Sequence, residues 1–189
     1  MRVRFAAAIL LSVSPLGACS AFATRKLEGH VFAIPKLNDI PDSDAPFFLQ
    51  PLNPDDGFSF YLNPQARLPE QILIGVASRH RMCARAAGTQ ALINSTVCAA
   101  TPLLWRGRPL RKVSDGVFWS YNLPAAAGQK APASLASCSA ISGDPRTGLC
   151  TANLPFDDLV LTVHFRDDQV GSLASFFDQA AADLRSWEQ

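Results

Sequence analysis

Three histidines, five cysteines and two blocks of opposite charge are the parts of this chain with chemistry to offer. His80 stands in Ser78-Arg79-His80-Arg81-Met82-Cys83-Ala84-Arg85, among three arginines. A general base needs a carboxylate to orient it, and downstream of this cluster none occurs before Asp115. His164 lies inside an apolar run and His30 begins one, positions that suit packing. His80 with Cys83 lacks the second close Cys/His pair that a zinc site requires, so neither metal nor cofactor is expected. Gly-rich phosphate loops, G-x-S-x-G and H-E-x-x-H are absent from the sequence. A hydrolytic site on His80 with a remote Asp and Ser is the one catalytic arrangement these residue types leave open. The expectation is a protein that binds and does not catalyse.

Charge is the more informative pattern. Asp39, Asp42, Asp44, Asp55 and Asp56 make the first third acidic, whereas Arg79, Arg81, Arg85, Arg106, Arg108, Arg111 and Lys112 make the middle basic. Such blocks commonly face solvent or pair with each other. Segregated charge also steers encounter and rejects wrong partners, so Asp42, Asp44, Asp55, Asp56, Arg79, Arg81, Arg106 and Arg108 are candidate docking residues. Trp105, Trp119 and Tyr121 lie among the cations, and Trp, Tyr and Arg are the types enriched at interface hot spots. Within strands, however, Trp105 and Trp119 are more often packed on a sheet face.

The whole chain sets the frame for these residues. Its 189 residues are 48% hydrophobic, with 17 basic against 16 acidic side chains and a mean hydropathy of +0.10. That length buries a real core in one domain. Disorder calls for lower hydrophobicity and higher net charge. A balance this near neutral gives no electrostatic reason to expect nucleic acid.

The first residues carry an address. Met1-Arg2-Val3-Arg4 is a basic start, and the apolar run Phe5 to Leu11 is too short for a membrane span, which needs roughly 20 residues. Residues 1–18 therefore read as an export signal. Leu16-Gly17-Ala18-Cys19 then resembles the lipobox of bacterial lipoproteins. That resemblance implies that Cys19 becomes the mature N-terminus and carries a diacylglycerol thioether and an N-acyl chain, well above the two-signal threshold for stable anchoring. Ser20, where lipoproteins kept in the inner membrane carry Asp, implies the outer membrane. Loss of residues 1–18 removes Arg2 and Arg4 and leaves the remainder near neutral. Residues 19–28 then read as a lipidated tether, and 29–189 as a single periplasmic domain.

Export also bears on the other thiols. Cys83, Cys98, Cys138 and Cys150 would meet an oxidising compartment, where disulfides persist. Four cysteines allow three connectivities, among which sequence alone does not choose. Pairing Cys83 with Cys98 and Cys138 with Cys150 is preferred, because each bond then staples a short segment between stronger structural signals.

Those signals are mainly β. His30 to Ile34 is strand-like and ends at Pro35, Phe58 to Leu62 alternates, and Gln71 to Ala77 is rich in β-branched residues. Residues 38–54, with four prolines, read as a long ordered loop. Ser114-Asp115-Gly116 between Leu103 to Val113 and Val117 to Tyr121 is a strong hairpin signal. Ala125 to Ala136 reads as a flexible excursion and Cys138 to Cys150 as a stapled loop. Leu159 to Phe165 is the continuous apolar run of a buried strand. Beyond it Val170, Leu173, Phe176, Phe177, Ala180, Leu184 and Trp187 recur at spacings of three and four, the stripe of an amphipathic helix capped by Asp167 or Asp168. The expected fold is α+β: a mostly antiparallel sheet with long loops, closed by a C-terminal amphipathic helix.

A small, stapled, exported domain with segregated charge and no catalytic motif suits an outer-membrane lipoprotein that binds another protein. In general character it resembles the small lipoproteins that protect bacteria from secreted antibacterial toxins, acting as an immunity protein that occludes the toxin's site. A structural accessory of an envelope or secretion complex is the alternative, with a sheet edge recruiting the partner.

Overall fold

The computed structural model describes residues 21–41, 57–89, 93–100, 103–124, 133–141 and 144–189. Cys19, the signal segment, Asp42, Asp44, Asp55, Asp56 and most of the proline-rich stretch lie outside the described residues.

Among the described residues, ten strands and three α-helices make an α+β architecture. The strands are β1 (Phe22–Leu27), β2 (His30–Pro35), β3 (Asp39–Ile40), β4 (Gly57–Tyr61) and β5 (Leu73–Ser78). They continue with β6 (Arg111–Asp115), β7 (Phe118–Leu123), β8 (Ala133–Ile141), β9 (Asp144–Phe156) and β10 (Leu159–Arg166). Helices α1 (Arg79–Ala86) and α2 (Ile93–Thr96) follow β5, and α3 (Leu173–Trp187) follows β10. Eight strands form one sheet in the order β3-β4-β5-β10-β9-β8-β7-β6, with every pair antiparallel. β10 lies inside the sheet with Leu159, Leu161, Val163 and Phe165 buried on one face, while on the other Val160 is buried and Thr162 and His164 meet Asn153 and Thr151 of β9.

Side chains alternate between the sheet's faces. One row of the inner face is Phe60, Ile74, Val163 and Ala152, directly paired from strand to strand and each fully buried. α3 closes this face with Leu173, Ala180, Ala181 and Leu184. Trp187 sets its ring edge-on to Phe60, centroids 5.0 Å apart. Val170, Phe176 and Phe177 pack against the same core. Each large side chain removed from water here contributes about 1.5–3 kcal/mol.

Beside α3 lies the separate hairpin β1–β2, which adds Leu27, Phe32 and Ile34 to the core. Its turn, Glu28-Gly29, has positive φ at both positions (51° and 89°), the geometry that lets a two-residue loop follow the twist of its strands. Arg25 clamps this hairpin to β3 through Nε to Asp39 Oδ1 at 2.9 Å and Nη2 to Oδ2 at 3.1 Å. The segment 19–28 is therefore not a tether from Phe22 onward. β1 is paired with β2 along its whole length, so the folded domain begins ahead of residue 29. Alternation in Phe22-Ala23-Thr24-Arg25-Lys26-Leu27 is a half-buried strand pattern that the two cations disguise.

The chain's end is tied to β2. His30 Nδ1 meets Glu188 Oε1 at 2.6 Å and Nε2 meets Asp158 Oδ1 at 3.0 Å, while Gln189 N donates to Val31 O at 2.9 Å. The Glu188 hydrogen bond is the main cause that holds the imidazole's pKa above its usual 6.5, against a smaller opposing effect of burial. A group whose pKa is raised on folding contributes stability that is complete below its unfolded value and is lost as pH climbs through the folded one. The urea midpoint of the wild type should therefore fall between about pH 5.5 and pH 8.5 by more than that of His30→Gln. Equal falls would remove His30 from the tail's attachment.

Three local expectations are corrected. Cys138 and Cys150 do not staple a loop: they are partners in the β8–β9 ladder, joined by a disulfide with Cα atoms 4.0 Å apart. Ala133 to Ala136 belongs to β8 and not to an excursion, the rest of which lies outside the described residues. Asp167 is not a helix cap. It opens a 3-10 turn, Asp167–Ser172, and its carboxylate is used elsewhere. The Asp-Gly hairpin is present as β6–β7, though its first strand starts only at Arg111.

Candidate functional site

The preferred cysteine pairing is the one in the structure: Cys83 with Cys98, Cα atoms 5.5 Å apart, and Cys138 with Cys150. The first bond ties α1 to the residue two beyond α2. These two short helices form a layer on the outer face of the sheet, over β5, β10, β9 and β8. Val97, Val160 and Ala77 are buried beneath it. Ser78 caps α1, its Oγ accepting from Arg81 N at 3.1 Å.

Asp167 is the most engaged polar side chain at the β6–β7 end. It accepts from Lys112 Nζ at 2.7 Å, Trp119 Nε1 at 2.6 Å and Tyr121 OH at 2.7 Å, with only 13% of its side chain exposed. Burial pushes the carboxyl's pKa up, but these three donors together outweigh it and hold the group below its ordinary value. Burial, and then the Asp167 bond, raise the Tyr121 phenol. Lys112 Nζ also stands 4.6 Å from the centroid of the Trp119 ring. The same ring crowds Gly148, where a Cβ would collide with it, so glycine is needed for the close approach. The sulfurs of Cys138 and Cys150 and an Asp167 oxygen lie within 4.8 Å of one another. The spacing suits a metal, but both sulfurs are committed to the disulfide and offer no thiolate.

The structure divides the basic block. Arg79, Arg81 and Arg85 lie on α1, separated from β6 by four strands of the sheet. Arg79 Nε donates to Val97 O at 2.9 Å, which seats α1 on the α2 segment. Arg81 is half exposed, 3.6 Å from Glu28. Arg106 pairs with Asp178 of α3 through Nη1 at 2.7 Å and stacks on Trp105 and Phe177, each 5.5 Å from its centroid. Arg108 donates to the carbonyls of Leu104 and Pro124. Arg106 and Arg108 thus carry structural bonds that a charge count does not reveal.

His80 shares a cleft with Arg79, Glu28, Asp157, Asp158 and the Cys83–Cys98 bond. Of its two neighbouring aspartates, Asp158 is held by His30. His164 is buried, its Nδ1 3.2 Å from Thr151 Oγ1, and burial pushes its pKa down to about 4, leaving a neutral imidazole.

Sequence reasoning missed an apolar strip on the outer face. Asp115, Phe118, Ser139, Leu149 and Arg166 are paired in one row across β6, β7, β8, β9 and β10. The adjacent row, Trp119, Cys138, Cys150 and Phe165, is buried in the core, so Phe118 and Leu149 must face outward. Phe118 is 62% exposed, and Val113, Val117, Ile141 and Leu149 are exposed near it. Phe118 and Leu149 flank Ser139 in that row, and large apolar side chains left uncovered on one face are candidates for an interaction surface. The alternation Phe118-Trp119-Ser120-Tyr121 carried the signal: with Trp119 and Tyr121 inside, Phe118 is outside.

Fold and site together define an α+β protein on an eight-stranded antiparallel sheet, packed against α3 on its inner face, with Phe118 of β7 and Leu149 of β9 exposed on its outer one. Compared with models of known families and with curated proteins, the chain matches none. Among solved structures it is similar to Smlt3025, an immunity protein of the Stenotrophomonas maltophilia type IV secretion system, with a TM-score of 0.46 and 12% identity over 89% of this chain and 94% of that one.

Proposed function

We propose that this chain is an outer-membrane lipoprotein, acylated at Cys19, whose periplasmic domain binds another protein, and that this protein is a secreted antibacterial toxin whose site the domain occludes. The lipobox resemblance supports the anchor, and two disulfides suit an oxidising compartment. The observation that carries the binding role is the strip of Phe118, Leu149, Val117 and Ile141, exposed in a molecule whose other apolar face is sealed. Arg81 on α1 and the aspartates Asp42, Asp44, Asp55 and Asp56 supply charge for steering.

The test is recovery of a partner from the periplasm. Wild-type chain should retain a soluble toxin as a one-to-one complex, and Phe118→Asp with Leu149→Asp should weaken it by at least about thirtyfold, since a central aromatic anchor contributes about 2–4 kcal/mol. An unchanged melting temperature would show that the fold survives. Undiminished capture by the double variant would move the binding surface elsewhere. Recovery of a large membrane complex would favour the accessory role. Cys19→Ser should release the domain from the membrane fraction.

A further inference from the structure

β6 is one edge of the large sheet, with no strand beyond it among the described residues, and all five of its residues are exposed. Natural edges carry charge because pairing with a foreign strand then sets charge against apolar or like-charged groups. The order Arg111-Lys112-Val113-Ser114-Asp115 behaves differently toward a copy of itself. Turned antiparallel about Val113, it sets Arg111 opposite Asp115 of the second strand at both ends, Lys112 opposite Ser114, and Val113 opposite Val113. Sliding by two residues shortens the overlap to three and sets either Lys112 against Lys112 or Ser114 against Ser114, with Arg111 and Asp115 no longer opposed. One register alone is complementary, and it is the longest.

The backbone agrees. Asp115 and Phe118 close a two-residue hairpin whose first loop residue, Gly116, has φ +62°, as a type II′ turn requires. In such a hairpin the closing pair exchanges both hydrogen bonds, and so do alternate pairs beyond it. Val113–Ser120 and Arg111–Asn122 are those alternate pairs. The amides and carbonyls of Lys112 and Ser114 therefore point to the free edge. In the symmetric register they meet those of Ser114 and Lys112 in the second copy, four backbone bonds in all. Arg111, Val113 and Asp115 lie on the outer face, since their β7 partners Asn122, Ser120 and Phe118 alternate with the buried Trp119, Tyr121 and Leu123. Pairing would extend the apolar strip through Val113 into a second copy.

We infer that β6 is a self-association edge: two copies of this chain join by antiparallel β6–β6 pairing about Val113, with Arg111 and Asp115 as reciprocal ion pairs. This does not depend on the identity of any other partner or on acylation. It is an isologous contact and closes at two.

Val113 would face itself as a non-hydrogen-bonded pair with Cα atoms about 4.5 Å apart, within reach of a disulfide. Cys138 and Cys150 already bridge a ladder pair of this sheet. Full-length chain carrying Val113→Cys, isolated from the envelope of an expressing cell, should run as a dimer on a non-reducing gel. Val117→Cys, more exposed than Val113 (59% against 44%) but off the axis, should remain monomeric. Added to Val113→Cys, Arg111→Asp or Asp115→Arg alone should cut the crosslink at least fivefold by setting like charges face to face. The combined swap, Arg111→Asp with Asp115→Arg, should restore it. A heterologous partner on β6 would not be rescued by the swap, so absence of rescue overturns the inference. So does crosslinking of Val117→Cys at the level of Val113→Cys, or no dimer with Val113→Cys.

Discussion

Asp167→Ala should destabilise the fold by about 3 kcal/mol, because it withdraws a charged acceptor from three donors at once. Lys112, Trp119 and Tyr121 come from β6 and β7, whereas Asp167 follows β10, on the far side of β9 and β8. The carboxylate is thus a tie across the width of the sheet. Without it the indole N–H and the phenol O–H face a hole, and Lys112 loses the anchor that holds edge strand β6 inward. For a domain of this size the loss corresponds to roughly 10 °C in melting temperature. Asp167→Asn separates charge from shape. Its uncharged oxygen still accepts, so it should cost less, and its effect should depend on pH. A carboxyl whose pKa is depressed on folding gives stability that is present above its unfolded value of 3.8 and is lost as pH falls through the folded value. Wild type and Asp167→Asn should therefore converge in acid and separate at neutral pH. A constant gap across that range would mean that the carboxylate's charge does no stabilising.

Replacing both Cys83 and Cys98 by alanine should cost about 3 kcal/mol, the loop-closure entropy of a bond spanning 15 residues. Where that cost falls is the more telling part. α1 is eight residues and α2 four, far below the length at which helices stand alone; burial of Val97 and Ala86 and the bond from Arg79 N to Asp158 O at 2.9 Å help hold them to the sheet, while the Arg79–Val97 bond joins α1 to the α2 segment. Hydrogen exchange should show residues 79–89 and 93–98 losing protection while β5, β10 and β9 keep theirs, apart from the amides under the layer at Ala77 and Val160. The matching change at Cys138 and Cys150 should act globally, because that bond lies in the middle of a ladder with the Trp119–Asp167 group packed on it. Uniform loss of protection in the first variant would show that the layer and the sheet unfold as one.

Much of the fold was legible because local rules and tertiary demands coincide. In Leu159 to Phe165 one alternate set, Leu159, Leu161, Val163 and Phe165, is wholly apolar and Val160 adds to the other, the pattern of a strand buried within the sheet. The stripe from Leu173 to Trp187 and the Asp-Gly hairpin are equally local. β1 was not legible, since Arg25 and Lys26 read as linker charge, while Arg25 in fact spends its guanidinium on Asp39, fourteen residues away. Cys138 and Cys150 gave the right pairing for the wrong reason: spacing suggested a loop, and only the register of two strands puts them face to face. The candidate site was least legible. A list of cations cannot say that Arg106 and Arg108 are occupied by Asp178 and by backbone carbonyls. Nor can it say that Phe118 is left bare, because exposure of a strand residue depends on what its neighbours' partners cover.

The early start of β1 bears on how such a domain would patrol its surroundings. If Cys19 is acylated as proposed, Ser20 and Ala21 alone separate the lipid from the first paired residue, and Ala21 O already accepts from Lys36 N at 2.9 Å. Three residues at full stretch reach about 10 Å. A leash that short would bolt the domain down, with a fixed footprint and little freedom to tumble. Its working faces would then be offered at a set height and angle, and whatever it captures would have to come to the bilayer to be caught.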